Sequence, residues 1–562
     1  MTARTHHQAI AALLRVRDAD RTASPYPALR RLTEELGAGR PMLGDQPRLR
    51  GLLELTAAAD PRLFHVMFLH HCMTIGPALD YGAHPADVDA LTTGASVGAA
   101  LMTELGRGNS SAAIRTEAVL DRANGEFVLH SPEPGAAKYP PNVGEHGVPR
   151  LAVVSARLRV DGTDRGVFLF LVELRDAHRT APGVTIRPHP PTSLLPLDYA
   201  TVRFDQVRIP RHRWLADGAE LTPDGGFHDP VGGPEERTRR SLGMSRFAWG
   251  AVTAGLAAAA RAAVALTLPH ALRRATADRD GRERTALDRP DQQRLLFGAA
   301  SDAYTAGVLA RRVTGACWDV PAGGGRGSGP APEVMRTLAL AKAVIARLAD
   351  RAVARCRSAT GAIGFFSENR LVDYQALTAA FHSAGGDNRL IMLDAARSLV
   401  AQAAPPEDPA PVPDEDGLGP LFLAHERLLN SELTVRLAKA VASGADPAEA
   451  WDDQSRLALA LAAAHTTRVT AETLGLHEAD DPVAAALLRA ARLERVVAGP
   501  ARYLMTGLVT PPQVNAWSAA LDGIHRWLHP RAAEVVDLMD IPPALLASPI
   551  ADPDYVAALS KG

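Results

Sequence analysis

Several short stretches of the chain carry residue types that could do chemistry, and some of them are decoys. Gly94-Ala-Ser-Val-Gly98 matches the pattern of a nucleophile elbow, in which a serine sits on a sharp turn between a strand and a helix. The preceding His84–Thr93 has no strand pattern, so Ser96 is expected in a loop leading into a helix. His65, His70, His71 and Cys72 offer metal-ligand types, but their spacing fits no metal template and no metal site is expected. The glycine-rich run at 323–328 lacks both the Lys-Ser/Thr sequel and the preceding strand of a phosphate cradle, so it is expected to be a loop.

Four other stretches carry more. Met102-Thr-Glu-Leu-Gly-Arg-Gly-Asn-Ser110 is a glycine-punctuated turn that lets backbone N–H groups approach a ligand. Phe127-Val-Leu-His is followed by Ala136-Ala-Lys-Tyr139. Phe204-Asp-Gln-Val-Arg-Ile-Pro-Arg211 is the third. The fourth runs from Thr360-Gly-Ala-Ile-Gly-Phe-Phe-Ser-Glu-Asn-Arg370 to Gly385-Gly-Asp-Asn388.

The elements that must position these stretches follow a simple order. Residues 1–100 read as helical, with apolar faces at Ile10, Leu13, Leu14 and Val16, at Leu52, Leu53 and Leu55, and at Leu63, Val66, Met67 and Leu69, punctuated by prolines at 41, 47 and 61. Short runs rich in β-branched and aromatic residues follow at Phe127, Leu151, Val167 and Thr201. They are separated by Asn124-Gly125, Asp161-Gly162 and Pro182-Gly183, which predicts a β-barrel or sandwich core over 105–215 in a domain at 101–220. Helical patterns return over 238–402, with candidates at Ser241–Leu268 (ended by Pro269), Asp291–Thr314 and Glu333–Ser358. A Pro- and acid-rich linker at 405–419 leads to a last helical domain at 420–562.

Composition narrows the function classes. The 562 residues leave room for three or four packed units. A net charge of −2 gives no basic field for nucleic acid. Three well-separated cysteines exclude a disulfide framework. The run Phe247–Ala260 falls short of the roughly 20 apolar residues a membrane span needs. The N-terminal stretch is too charged for a signal peptide, and the Leu-Ser-Lys-Gly ending is not a peroxisomal one. A cytoplasmic protein without a membrane or nucleic-acid partner is expected.

Taken in order, the motifs resemble those of the acyl-CoA oxidase branch of the acyl-CoA dehydrogenase superfamily. The resemblance implies an α+β fold with an N-terminal helical domain, a central β-barrel or sandwich domain and two C-terminal helical-bundle domains. It implies FAD as cofactor and an acyl thioester, on CoA or an acyl carrier protein, as substrate. A homodimer is expected, with a heteromer as the alternative. Carried over by motif, the cofactor-binding positions are Thr103, Gly108, Asn109, Tyr139, Asn142, Arg274, Gln293, Phe297, Asp387 and Asn388. The family chemistry needs a carboxylate to take the α-proton, hydrogen bonds to the thioester carbonyl, and a flavin to accept hydride.

The chain departs from the family where that carboxylate belongs. Gly385 stands at the usual glutamate position, and aligning Arg246 to the arginine after an alternative base puts Ser245 there. Further changes gather near the same pocket: Asn109-Ser110 is inverted, Tyr139 replaces a tryptophan, Phe365 replaces a tyrosine, and Ser193–Ala200 loses three family glycines. Two other groups could serve as base. His382, three residues before Gly385, would share its face on a continuing helix, and Asp387 is the nearest acid, though a capping role suits it better. Three readings follow: a flavin-dependent oxidoreductase with a displaced base in a biosynthetic tailoring step; a flavin monooxygenase or decarboxylating oxidase on the same fold; and a non-catalytic partner subunit.

Overall fold

The structure, a computed structural model, describes residues 9–15, 24–35, 42–222, 226–320, 327–402, 416–475, 477 and 481–560. Val16, Pro41, positions 323–326 of the glycine-rich run and 405–415 of the expected linker lie outside them. The chain divides into two compact units, Met1–Gly255 with Val313–Leu338, and Leu256–Arg312 with Ala339–Gly562.

The first unit opens with helices whose starts are written in the sequence. Asp45 and Asp60 accept hydrogen bonds from the N–H groups of Arg48 and Arg62, and Pro47 and Pro61 occupy the first turns of the helices Gln46–Ala59 and Pro61–His70. After the helix Pro85–Thr92 the chain enters strand β1 (Val97–Leu101). The Gly94–Gly98 loop thus leads into a strand rather than the expected helix, and no nucleophile elbow forms. The reason is that Val97–Leu101 pairs in parallel with β4 (Arg150–Val160), and Gly98 lies against Thr74, whose Cβ would be 2.6 Å from an added Cβ.

A seven-stranded sheet forms the core of this unit. Its order is β8 (Val207–Ile209), β3 (Glu126–His130), β2 (Glu117–Asp121), β4, β5 (Thr163–Arg175), β9 (Trp214–Leu215), with β1 also on β4. A separate ribbon pairs β6 (Val184–Pro188) with β7 (Ala200–Phe204). Asp161-Gly162 joins β4 to β5 with both residues at positive φ (52° and 76°), the two-residue turn whose twist suits a hairpin. Phe127, Phe168, Phe170 and Trp214 pack together in the core with ring centroids 5.4–5.5 Å apart.

The helix Ser245–Arg273 is shifted from the expected Ser241–Leu268: Ser241 belongs to the preceding helix Pro234–Leu242, and the later helix runs on past Pro269. Pro269 lies inside it, one turn before its end, where the missing N–H costs a single backbone bond. The stretch Pro234–Arg273 is long and apolar enough to cross a membrane by length and composition alone. However, 94% of its most apolar window is buried inside the protein, as befits a core helix. Its alanines and glycines permit close packing: a Cβ at Gly255 would come within 2.2 Å of the Phe64 ring.

The second unit is helical. Helices Pro332–Thr360, Leu371–Ala380 and Asn388–Ala401 carry the fourth motif, and Leu418–Ala442, Ser455–Gly475, Pro482–Val497 and Pro511–Leu528 follow. Leu418 and Gly419 already belong to a helix, so the expected linker ends earlier than position 419. N-terminal helices, a central sheet and C-terminal helices therefore appear in the expected order.

Candidate functional site

In the first unit, two motifs meet through a buried ion pair. Lys138 Nζ lies 3.2 Å from Glu104 Oε1, and neither side chain is exposed. Glu104 also accepts from the N–H groups of Arg115 and Thr116 and from the Thr116 hydroxyl, at 2.7–2.8 Å. Burial alone would raise the Glu104 carboxyl, but the Lys138 ammonium, the Thr116 hydroxyl and the two N–H groups outweigh it and hold it below its usual range. Burial pushes the Lys138 ammonium down to about 8 despite Glu104. This pair aligns two chain segments. Leu105 N donates to Ala137 O, Gly106 N to Gly135 O and Tyr139 N to Thr103 O, at 2.8–3.0 Å.

The expected ligand positions sit around this seam. The Thr103 hydroxyl is half-buried and makes no hydrogen bond among the described residues. Leu105 and Tyr139 expose apolar surface beside it, and Tyr139 stands edge-on to His189. Gly108 and Asn109 are exposed, with Asn109 in the left-handed region (φ 59°). Asn142 is buried instead, its Oδ1 3.1 Å from His65 Nε2. The remaining histidines of the group are also internal: His70 Nδ1 accepts from Gly98 N at 2.9 Å, and both His71 nitrogens are buried without a hydrogen-bond partner among the described residues.

The alternative base position lies in the same unit. Ser245 opens its helix, and the neighbouring Arg246 is buried, donating to the carbonyls of Cys317 and Asp319 and to Asp80 at 2.8–3.2 Å. Arg246 thus anchors chain segments to one another.

In the second unit, Gly385 and Gly386 form a turn with φ of 67° and 92° before the helix Asn388–Ala401. Asp387 caps that helix by accepting from Arg389 N and Leu390 N, the capping role the sequence suggests. The helix Leu371–Ala380 stops before His382, so His382 and Gly385 do not share a helix face, contrary to expectation. The two glycines at positive φ are incompatible with a continuing helix.

His382 is nevertheless held next to that turn. Its Nε2 lies 3.2 Å from Asp350 Oδ2, and the Thr378 hydroxyl donates to Asp350 Oδ1 at 3.1 Å. These bonds, His382 first, hold the Asp350 carboxyl below its usual range against burial. His382 Nδ1 faces Asn388 Nδ2 at 3.4 Å. Asn388 Oδ1 in turn accepts from Lys342 Nζ at 2.9 Å, and Lys342 also donates to the carbonyls of Ala384 (2.8 Å) and Gly386 (2.7 Å). Burial pushes the Lys342 ammonium down to about 7, with Asp387 pulling the other way.

Of the other expected residues of this unit, Phe297 and Gln293 face inward and Arg274 is half-buried. Phe297 is fully buried against His525, with ring centroids 6.1 Å apart, and Gln293 is buried with its amide donating to Leu287 O at 3.0 Å. Arg274 donates to Ala359 O (3.1 Å) and Thr360 O (3.5 Å), closing the end of the helix Pro332–Thr360. In the motif before them, Asn369 and Arg370 bind the segment Ala547–Ile550, while Glu368 and Phe365 are exposed.

Two sets of the expected cofactor residues therefore differ in their surroundings. The seam at Thr103 and Tyr139 offers a free hydroxyl beside exposed apolar surface, which suits a flat, amphipathic heterocycle. Gln293, Phe297 and Arg274 are engaged with partners of their own unit. Lys342 and Asp350 escaped the sequence-based expectations. The signal was present in the run Leu338–Asp350, where Lys342 interrupts an otherwise apolar helix face.

Comparison with known proteins agrees with this picture. Residues 248–400 match the family model of the acyl-CoA oxidase C-alpha1 domain. The chain is 29% identical over 311 residues to the acyl-coenzyme A oxidase-like protein of Mus musculus, covering 54% of this chain and 48% of that one. It is 26% identical over 309 residues to peroxisomal acyl-coenzyme A oxidase 1 of Mus musculus, covering 54% and 46%. It spans about half the length of the curated relatives it matches. The crystal structure of acyl-CoA oxidase-1 in Caenorhabditis elegans complexed with FAD and ATP superposes with a TM-score of 0.82 at 20% identity, covering 100% of this chain and 90% of that one. That likeness establishes the fold. Domain, relatives and fold bear out the resemblance to the acyl-CoA oxidase branch.

Proposed function

We propose, on the premise of an acyl-CoA oxidase fold, that the chain is an FAD-dependent oxidoreductase acting on an acyl thioester in a specialised biosynthetic step. CoA or an acyl carrier protein would carry the acyl group. Thr103, Gly108, Asn109 and Tyr139 would hold the flavin, the Thr103 hydroxyl as hydrogen-bonding partner and Tyr139 as apolar wall. FAD, when bound, supplies the two-electron acceptor.

The base moves off position 385. His382, oriented by Asp350, accepts the α-proton at Nδ1, the substrate displacing the long 3.4 Å contact from the Asn388 amide, and the resulting imidazolium is stabilised by the Asp350 carboxylate. Between the two weak candidates this choice follows from the bonds: Asp387 is occupied as a cap, whereas 41% of the His382 side chain is exposed. The Asp350–His382 pair beside a bare Gly385 is the observation that carries the reading.

Visible absorbance of the purified protein, followed by flavin extraction and anaerobic mixing with acyl-CoA, tests it. Near-stoichiometric FAD that bleaches with acyl-CoA in the native protein but not in His382→Asn is expected. FAD that bleaches only with an external reductant selects a monooxygenase. The bare Gly385 also supports a non-catalytic partner subunit, and a colourless protein that takes up no added FAD selects that reading. A cytoplasmic homodimer completes the proposal. The peroxisomal naming of one relative makes cell fractionation the check on location, and sedimentation the check on assembly.

A further inference from the structure

The amide of Asn388 stands between a group that can only donate and a ring that can do either. Lys342 Nζ has three hydrogens and no acceptor capacity, so the atom facing it at 2.9 Å must be the amide oxygen. The amide nitrogen therefore points at His382 Nδ1, 3.4 Å away, and obliges that nitrogen to accept. The ring proton of neutral His382 is left on Nε2, where Asp350 Oδ2 receives it at 3.2 Å. The same ammonium holds the carbonyls of Ala384 and Gly386, which flank position 385 on both sides, and Asn388 N is bonded to His382 O at 2.9 Å.

We infer that Lys342 is a positioning residue. Its ammonium fixes the amide of Asn388 and, through it, the nitrogen of His382 that carries the proton. The catalytic meaning of this device rests on the proposed role of His382, whereas the contacts themselves do not. Without the ammonium, the Asn388 amide is free to turn, its oxygen can face Nδ1, and the ring can hold its proton on either side. The carbonyls of Ala384 and Gly386 lose their shared donor, and the turn at 385–386 loosens.

Nitrogen-15 NMR of the full chain labelled at histidine reads the tautomer directly, with His382→Asn identifying the signal. In the native protein near pH 6.5, where Lys342 keeps its third proton, the Nε2–H form is expected for the neutral ring. Lys342→Met is expected to give a mixture of tautomers and faster amide hydrogen exchange across 384–388. Asn388→Ala, which keeps both carbonyl bonds, is expected to give the tautomer mixture with little change in exchange, and it serves if Lys342→Met does not fold. A native Nδ1–H form, or an unchanged tautomer in Asn388→Ala, overturns the inference. Neither readout needs flavin or substrate, so a protein that never bleaches would overturn the proposed function and leave this result standing.

Discussion

Lys138 and Glu104 face each other with Nζ 3.2 Å from Oε1, and neither side chain reaches solvent. A buried pair of this kind is costly to break because the remaining charge has no water to replace its partner. Lys138→Met should therefore destabilise the protein by about 3–5 kcal/mol, read as a lower urea midpoint. Glu104→Gln combined with Lys138→Met should cost less than the sum of the two single changes, because it leaves no orphan charge.

Thr103 shares this seam, but its hydroxyl contributes no bond to it, since only its backbone carbonyl is engaged, by Tyr139 N. Thr103→Val should leave thermal stability within about 0.5 kcal/mol of the native protein, as for a substitution away from packed features. Flavin affinity should fall by about 3–10-fold, the loss of one hydrogen bond. Thermal unfolding of the flavin-free protein checks the first half, and equilibrium titration with FAD the second. Unchanged affinity would move the flavin away from the seam.

Much of this arrangement was legible in the sequence because it obeys local rules. Asp161-Gly162 had to be a turn, and Pro47 and Pro61 had to begin helices, since only their neighbours along the chain matter. Glu104, Lys138, Asn369 and Arg370 stood out through the motifs that contain them, but their work is structural, done through partners 12 to 181 residues away. The role of Lys342 is hard to read for the same reason: its place on an apolar helix face is visible, but a lysine on an alanine-rich helix normally keeps its charge in water, and only the turn some 44 residues later gives it acceptors. Helical spacing placed Gln293 and Phe297 on one helix without saying which side would meet solvent, and both turned inward. His382 was misplaced because Gly385 and Gly386 end the helical geometry that was extrapolated through them.

Gly385 is the position at which the family's carboxylate can be restored. Its φ of 67° lies in the left-handed region, so Gly385→Glu should cost about 1–2 kcal/mol of stability. The variant should nonetheless fold, because Lys342 still holds the carbonyls on either side. With a carboxylate in place beside the turn, anaerobic flavin reduction by acyl-CoA is expected to quicken. In the double variant with His382→Asn, the new carboxylate should restore the bleaching that His382→Asn alone removes. Stopped-flow absorbance compares the four proteins, and failure of the rescue would show that the reacting carbon does not lie beside this turn.

His71 makes the protein sensitive to acid. Burial pushes its imidazole down to about 4, and neither ring nitrogen has a hydrogen-bond partner among the described residues. His65 is likewise pushed to about 4 by burial despite its bond to Asn142, and His270, His425 and His525 are held near 4 chiefly by burial. In the unfolded chain each titrates at about 6.5. Between pH 6.5 and 4 the unfolded state therefore binds more protons than the folded one, so stability rises with pH across that window and is lost as pH falls through it. One such group contributes a loss of about 2 kcal/mol between pH 7 and pH 5. His71→Phe removes that contribution without orphaning any hydrogen-bond partner, so its urea midpoint should fall less between pH 7 and pH 5 than that of the native protein. An equal fall in both proteins would mean that His71 takes up its proton in the folded state, through an opening that gives the imidazolium water.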